Sequence, residues 1–298
     1  MSRRLLILIP ALMALTWMSC TTKRDGRAYR LYHNTTAKYN GFFYANEAHA
    51  EAEVKLEELH EERWDEILPL FLEYDEESAQ QIFPLMERAI EKCTRVVDRH
   101  TMAPPKRMTK SFSRPVMNKW IDDNYTVIGK SYYLKGDYPK AEEIFTYLAR
   151  TVNGDDAEAW AYSWLGRTHM RAGDDIKAKN ALAKAESIRD ASDEAMVHTL
   201  LVLAQYRILT EEFEKAARHL EDALPRMGKK DKERTRATFV LAQCLRAAGD
   251  KEGAIGQFQE VADMRWADYE WVFQGNIQQA MTYERRNGNS EAIVELLE

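Results

Sequence analysis

An all-α fold of stacked helix–turn–helix repeats is what this sequence predicts, on three observations. Small residues recur at a nearly constant interval through the second half: Ala141, Ala178, Ala216, Ala254 and Ala292 lie 37, 38, 38 and 38 residues apart. Each is followed four residues later by a large apolar side chain (Phe145, Leu182, Leu220, Phe258, Leu296) and preceded twelve residues earlier by a small one (Gly129, Gly166, Ala204, Ala242, Ala280). Gly and Pro are scarce, at 13 and 8 of 298 residues, and long runs alternating with period two are absent, which argues against a β-rich chain.

The small positions belong where the two helices of a repeat approach most closely, because a larger side chain there would push the backbones apart. The Phe or Leu one turn later fills the gap. Between the helices the turn is visible in Lys135 to Lys140: Gly136 supplies a left-handed residue after the first helix, and Pro139 suits the first turn of the second. Gly173-Asp174 and Gly249-Asp250 repeat the device, whereas Arg207 to Phe213 lacks the Gly and Asn287-Gly288 shifts it by one residue. This column set resembles the tetratricopeptide repeat (TPR). Its period exceeds the usual one, so each helix pair is expected to be longer by about a turn. The array spans 119–298, about five repeats with the last incomplete. It is expected either to continue beyond Glu298 or to be covered there by another protein, since stacked repeats need a polar cap.

The elements before the array follow in order. Residues 1–19 have the layout of a secretory signal, with Arg3 and Arg4 before an apolar stretch from Leu5 to Leu15 that is too short to span a membrane. Ser19-Cys20 at its end resembles a bacterial lipobox, which predicts lipidation of Cys20 and anchoring to a membrane through the N-terminal lipid. An ordinary signal peptide with an incidental cysteine is the alternative. The acidic run that would resemble a surface-export signal is missing after Cys20, which points to the periplasmic leaflet of the outer membrane. Residues 20–46 carry aromatics without helical period and are expected to run extended. Residues 47–100 predict a helical pair, Glu47 to Leu72 and Ser78 to His100. Ile82, Met86, Ala89, Cys93 and Val97 trace one face of the second helix. Residues 101–118, with three prolines and four basic residues, are expected to form a linker. Lys106, Arg107, Lys110 and Arg114 there could meet an acidic partner or lipid head groups, or simply be solvated. Cys93 and Cys244 fall within predicted helices and are expected to be buried and unpaired.

Composition narrows function. A net charge of −6 offers no footprint for nucleic acid. The histidines show no H-x-x-x-H or H-E-x-x-H spacing, and His169 falls in a core column. The carboxylate pairs (Glu57-Glu58, Glu61-Glu62, Asp155-Asp156) lie on predicted polar faces or at turns. No phosphate loop, nucleophile elbow or Cys-His pairing occurs. The chain is therefore expected to catalyse nothing, to need no cofactor and to bind proteins. The concave side of the array is lined by the first helix of each repeat, so Asn124, Lys130, Tyr133, Arg167, Arg171, Gln205 and Arg246 are expected to include exposed contact residues.

Two segments are more specific. Tyr32-His33-Asn34-Thr35-Thr36-Ala37-Lys38-Tyr39-Asn40-Gly41-Phe42-Phe43-Tyr44-Ala45-Asn46-Glu47 follows soon after Cys20, and Lys119-Trp120-Ile121-Asp122-Asp123-Asn124-Tyr125 runs into the first repeat. In both, the chain resembles the PorW (SprE) family of type IX secretion lipoproteins, and the order of segments along the chain is similar as well. The resemblance implies an outer-membrane lipoprotein on the periplasmic face, required for type IX export and, in gliding species, for motility. It implies contacts with the translocon and with periplasmic ring and motor components, with Tyr39, Phe42 and Phe43 as candidate contact residues. Two alternatives stand beside it. A SusD-like glycan-capture lipoprotein would need long loop insertions, for which the repeat spacing leaves little room. A BamD-like barrel-assembly lipoprotein would not be expected to carry the aromatic, Asn-rich segment.

Overall fold

The computed structural model describes residues 27–72, 74–102, 118–151 and 155–283. Residues 1–19, Cys20, most of the 101–118 linker, Ala292 and Leu296 lie outside them. Among the described residues all regular structure is helical, and no helix is long and apolar enough to cross a membrane.

The chain enters through α1 (Arg27–Thr36), a π-helical turn (Ala37–Phe42) and α2 (Phe43–Leu59). This corrects the expectation of an extended segment up to residue 46. The helical signal there is carried by small residues: His33, Ala37, Gly41, Ala45, Ala48, Ala52 and Leu56 recur at intervals of three or four and are all buried. Tyr32, Tyr39, Phe43 and Tyr44, which show no period, are exposed, while Phe42 is half-buried. The inner stripe packs against α3 (Glu76–His100), which is capped by Asp75 accepting from the Ser78 amide at 2.7 Å. At Gly41 the approach is so close that a Cβ would stand 1.9 Å from Val96 Cγ2.

Four complete helix pairs follow: α4 (Ile121–Leu134) with α5 (Tyr138–Thr151), α6 (Asp155–Arg171) with α7 (Asp175–Ser187), α8 (Asp193–Leu209) with α9 (Phe213–Ala223), and α10 (Lys232–Ala247) with α11 (Lys251–Ala262). α12 (Tyr269–Thr282) opens a fifth. Each helix packs on the next, and the first helices of neighbouring pairs also touch at α4–α6, α6–α8 and α10–α12. Ala141, Ala178, Ala216 and Ala254 have no exposed surface, and Phe145, Leu182, Leu220 and Phe258 are buried beside them. The small column faces the large one directly. A Cβ on Gly129 would lie 2.6 Å from Phe145 Cζ, and one on Gly166 would lie 2.4 Å from Leu182 Cδ2. In the later repeats Ala204, Ala242 and Ala280 hold the same place and are buried. Cys93 and Cys244 are free and buried, and burial pushes both thiols up to about 12.

The turns show one chemistry with one exception. Gly136, Gly173 and Gly249 all have positive φ, and the amide after each reaches back to the first helix, as in Asp137 N to Tyr132 O at 2.9 Å. Asp174 and Asp250 then cap the second helix, accepting from Lys177 N and Gly253 N. In the third repeat Glu211 takes the left-handed position with φ 57°, and Glu212 makes no cap but pairs with Arg207 and Lys215. The Glu211 side chain is exposed, so its Cβ strain is not offset by packing. Glu211→Gly is therefore expected to raise stability by roughly 1 kcal/mol. Thermal unfolding of the two proteins side by side checks this, and an unchanged or lower midpoint counts against it.

One element departs from expectation in a way that matters for function. The helix predicted to reach Leu72 stops at Leu59, and His60 turns into extended backbone. Pro69 explains part of this, because it lacks an N–H and would clash with the carbonyl four residues earlier in a helix. The remainder is tertiary. Residues 60–75 connect α2 to α3 by a long excursion along the inner face of the array.

Candidate functional site: the concave groove

The inner face is built from the first helices α6, α8, α10 and α12. A strap of chain from Trp64 to Leu72, with Tyr74 beyond it, lies along it, from the fifth repeat toward the second. Gln278 Nε2 donates to Trp64 O at 3.0 Å. Gln243 grips the strap twice, donating from Nε2 to Glu66 O at 2.8 Å and accepting from Leu68 N at 2.9 Å. Gln205 Oε1 accepts from Leu70 N at 2.6 Å. Arg236 donates to Pro69 O at 3.0 Å and pairs with Glu62, and Arg171 donates to Tyr74 O at 3.3 Å. Leu68 and Leu70 are buried against the array. Trp64 meets Phe239 and Trp271 edge-on with ring centroids at 5.3 and 5.0 Å.

Of the seven residues expected to include open contact positions, Asn124, Tyr133, Arg167 and Gln205 are buried, which corrects the expectation for those four, while Arg171 is exposed. Arg167 is 8% exposed, its guanidinium sandwiched over Phe71 at 3.8 Å and Trp164 at 4.2 Å. Gln205 is buried under Leu70, and Tyr133 is buried edge-on to Trp164. Asn124 has no exposed surface, and its side chain donates back to Trp120 O. Lys130 is half-buried over the Trp160 and Trp164 rings, and Arg246 donates to Gln278 at 2.7 Å. Arg171, beside the strap's end, also reaches the Tyr138 hydroxyl. The sequence placed the inner face on the right helices but gave it no occupant. Gln243, Gln278 and Arg236 were not among the expected residues. A repeat signal for one of them existed: Gln205 and Gln243 each follow the small residue of their column, Ala204 and Ala242.

Deeper in the groove lies a polar cluster. His198 stacks on Trp160 at 4.2 Å, and neither of its ring nitrogens has a hydrogen-bond partner among the described residues. Burial, with Arg167 and Lys130 nearby, holds it well below the ordinary imidazole value. Partial desolvation also lowers Lys130 and raises the exposed Glu53 and Glu233, which lie close enough to Lys130 and Arg167 to feel their charge. A cavity of about 610 Å³ opens beside the strap's end, lined by Phe71, Tyr74, Phe83, Tyr133, Arg167 and Leu209 among others. Among the described residues no group of three or more His, Cys, Asp or Glu could hold a metal ion.

A second surface lies on the N-terminal helices. Leu31, Tyr32, Tyr39, Phe43 and Tyr44 are exposed, Tyr39 at 56% and Phe43 at 51%. Phe42 differs: it is half-buried against Trp120, with ring centroids 5.2 Å apart.

No protein-family model matches the chain, and no curated protein matches it. Among solved structures it is similar to BtubC (BKLC) from P. vanneervenii, at 16% identity and a TM-score of 0.52, over 73% of this chain and 88% of that one. It is also similar to a thermophilic TPR protein in Thermus thermophilus, at 15% identity and a TM-score of 0.40, over 70% of this chain and 98% of that one. The chain has a TPR-like, all-helical repeat fold.

Proposed function

We propose that this chain is a lipid-anchored scaffold of the type IX secretion machine. It is held through Cys20 on the periplasmic face of the outer membrane and bridges the translocon to periplasmic ring and motor components. The observation that carries the reading is the segment from Tyr32 to Glu47, where the resemblance to the PorW (SprE) family is most specific. Support comes from its surface: Tyr39 and Phe43 are large apolar side chains held out from a rigid helical run, as contact residues of a protein interface are. Work is done by association, through this surface and the groove.

The test is genetic and biochemical. In a type IX-competent bacterium, deletion is expected to stop export of cargo to the cell surface, and Cys20→Ala is expected to release the protein from the membrane fraction. Tyr39→Ala/Phe43→Ala should weaken capture of translocon or ring components by about tenfold or more, since two exposed aromatic anchors are lost. Its melting temperature should hardly move. Phe42 is left intact because it packs on Trp120. Normal export in the deletion strain would end the type IX assignment; normal capture by the double variant would end the role of the aromatic surface alone.

A further inference from the structure

The contacts that hold the strap in the groove are of an unusual kind. Gln205, Gln243, Gln278 and Arg236 all address backbone N–H and C=O groups of residues 64–70, which any non-helical chain presents. The double grip of Gln243 on Glu66 O and Leu68 N reads the backbone at two points and ignores the side chain between them. Selectivity comes from the side-chain sites filled by Trp64, Leu68, Leu70 and Phe71, and from the pairing of Glu62 with Arg236. Among the described residues no backbone–backbone hydrogen bond ties the strap to the array. It lies in the groove as a bound peptide does, without belonging to a helix or a ladder.

At its far end the strap sets the Phe71 ring against the Arg167 guanidinium at 3.8 Å. The Phe71 ring lies 6.0 Å from His198, and among the described residues neither His198 nitrogen nor Trp164 Nε1 has a hydrogen-bond partner. A hydrogen-bonding side chain in place of Phe71 would give these groups a partner. The 610 Å³ cavity adjoins the same residue, so a larger or polar group in place of Phe71 has room.

We propose that the groove is a receptor for a non-helical segment of a partner protein bearing a Leu-x-Leu pair followed by a hydrogen-bonding side chain. The chain's own residues 62–74 then act as a built-in competitor that must leave before the partner enters. The strap thus sets the apparent affinity, because a ligand sees only the fraction of molecules whose groove is open. This rests on the reading of the array as a protein-binding scaffold and is independent of which machine it serves.

A fluorescent peptide copying residues 62–74 is the probe, titrated against the full chain and against full-length Leu68→Asp/Leu70→Asp, whose strap cannot return a charge to either apolar site. The strap variant is expected to bind the peptide at least about tenfold more tightly than the unaltered chain. Adding Gln205→Ala/Gln243→Ala to it should remove most of that binding. Equal affinity of the two chains, or no binding by a folded strap variant, overturns the proposal. Hydrogen exchange on the unaltered chain decides the matter even if the variant does not fold. The Leu68 and Leu70 amides should exchange through local opening, well before those of α8 and α10, and faster still with saturating unlabelled peptide. If they exchange only in step with α8 and α10, the strap is a fixed part of the fold and the proposal fails. Neither outcome touches the export assay, so this inference and the type IX reading fail separately.

Discussion

Phe145→Ala is expected to lower the unfolding free energy by about 3–5 kcal/mol, the cost of emptying a fully buried aromatic site. Phe145 has no exposed surface, stacks on Trp164 at 5.7 Å and lies directly over Gly129. That last contact makes a sharper test possible. Gly129→Ala alone should cost roughly 1–3 kcal/mol, because its Cβ would stand 2.6 Å from the ring. Combined with Phe145→Leu it recreates the Ala204 and Leu220 pairing of the third repeat, and the double variant should be less destabilised than the sum of the single ones. Glu58→Gln, on an exposed face, should stay within about 0.5 kcal/mol. Denaturant titrations of these variants check this; strict additivity at 129 and 145 would mean that the two columns do not share a contact.

Acidification should weaken the fold through His49. This side chain is buried between α2 and α4, with Nε2 2.8 Å from Ser131 Oγ, and burial together with Lys130 lowers it to about 4. The unfolded chain, with an ordinary imidazole near 6.5, binds a proton between those values that the folded chain refuses. The stabilising contribution is therefore complete above pH 6.5 and is lost as pH falls toward 4, by about 3 kcal/mol once both states are protonated. His198 acts in the same direction. Asp122, pushed up to about 6 by burial and by Asp123, acts in the opposite one. Urea midpoints measured at about pH 7 and about pH 4.5, on either side of that window, should fall further for the unaltered chain than for His49→Gln. Parallel decline in both would remove His49 as the cause.

The parts of this molecule written in local spacing were legible before the structure. The columns at Ala141, Phe145 and Gly129 and the Gly-Asp turns depend only on residues within one repeat, and the same arithmetic recurs in each. Even the missing glycine near 210 pointed to the place where Glu211 is forced to positive φ. What was missed depends on distance or on the wrong residue class. The period of α1 and the turn after it is hidden because it is written in Ala and Gly at 37, 41, 45 and 48, while the conspicuous aromatics Tyr32, Tyr39, Phe43 and Tyr44 are exposed. The strap was misassigned because apolar residues from Trp64 to Leu72 fit a helix if Pro69 is passed over, and because no local pattern states which distant surface they will cover. The groove residues were chosen on the right helices, but burial by another part of the chain cannot be read from periodicity.

A linear array of this kind ordinarily assembles by neighbour-to-neighbour contacts, each repeat closing on the one just made. The strap breaks that pattern of short loops: its contacts join residues 135, 175 and 214 positions apart in sequence. Trp64, Leu68 and Leu70 therefore leave the ribosome long before α8, α10 and α12 exist to receive them, and their apolar surface stays uncovered through most of synthesis. Closing such long loops also slows the last folding step relative to the repeats themselves. The nascent chain thus carries a sticky segment for most of its synthesis, and final docking of residues 64–72 couples its first helices to its last.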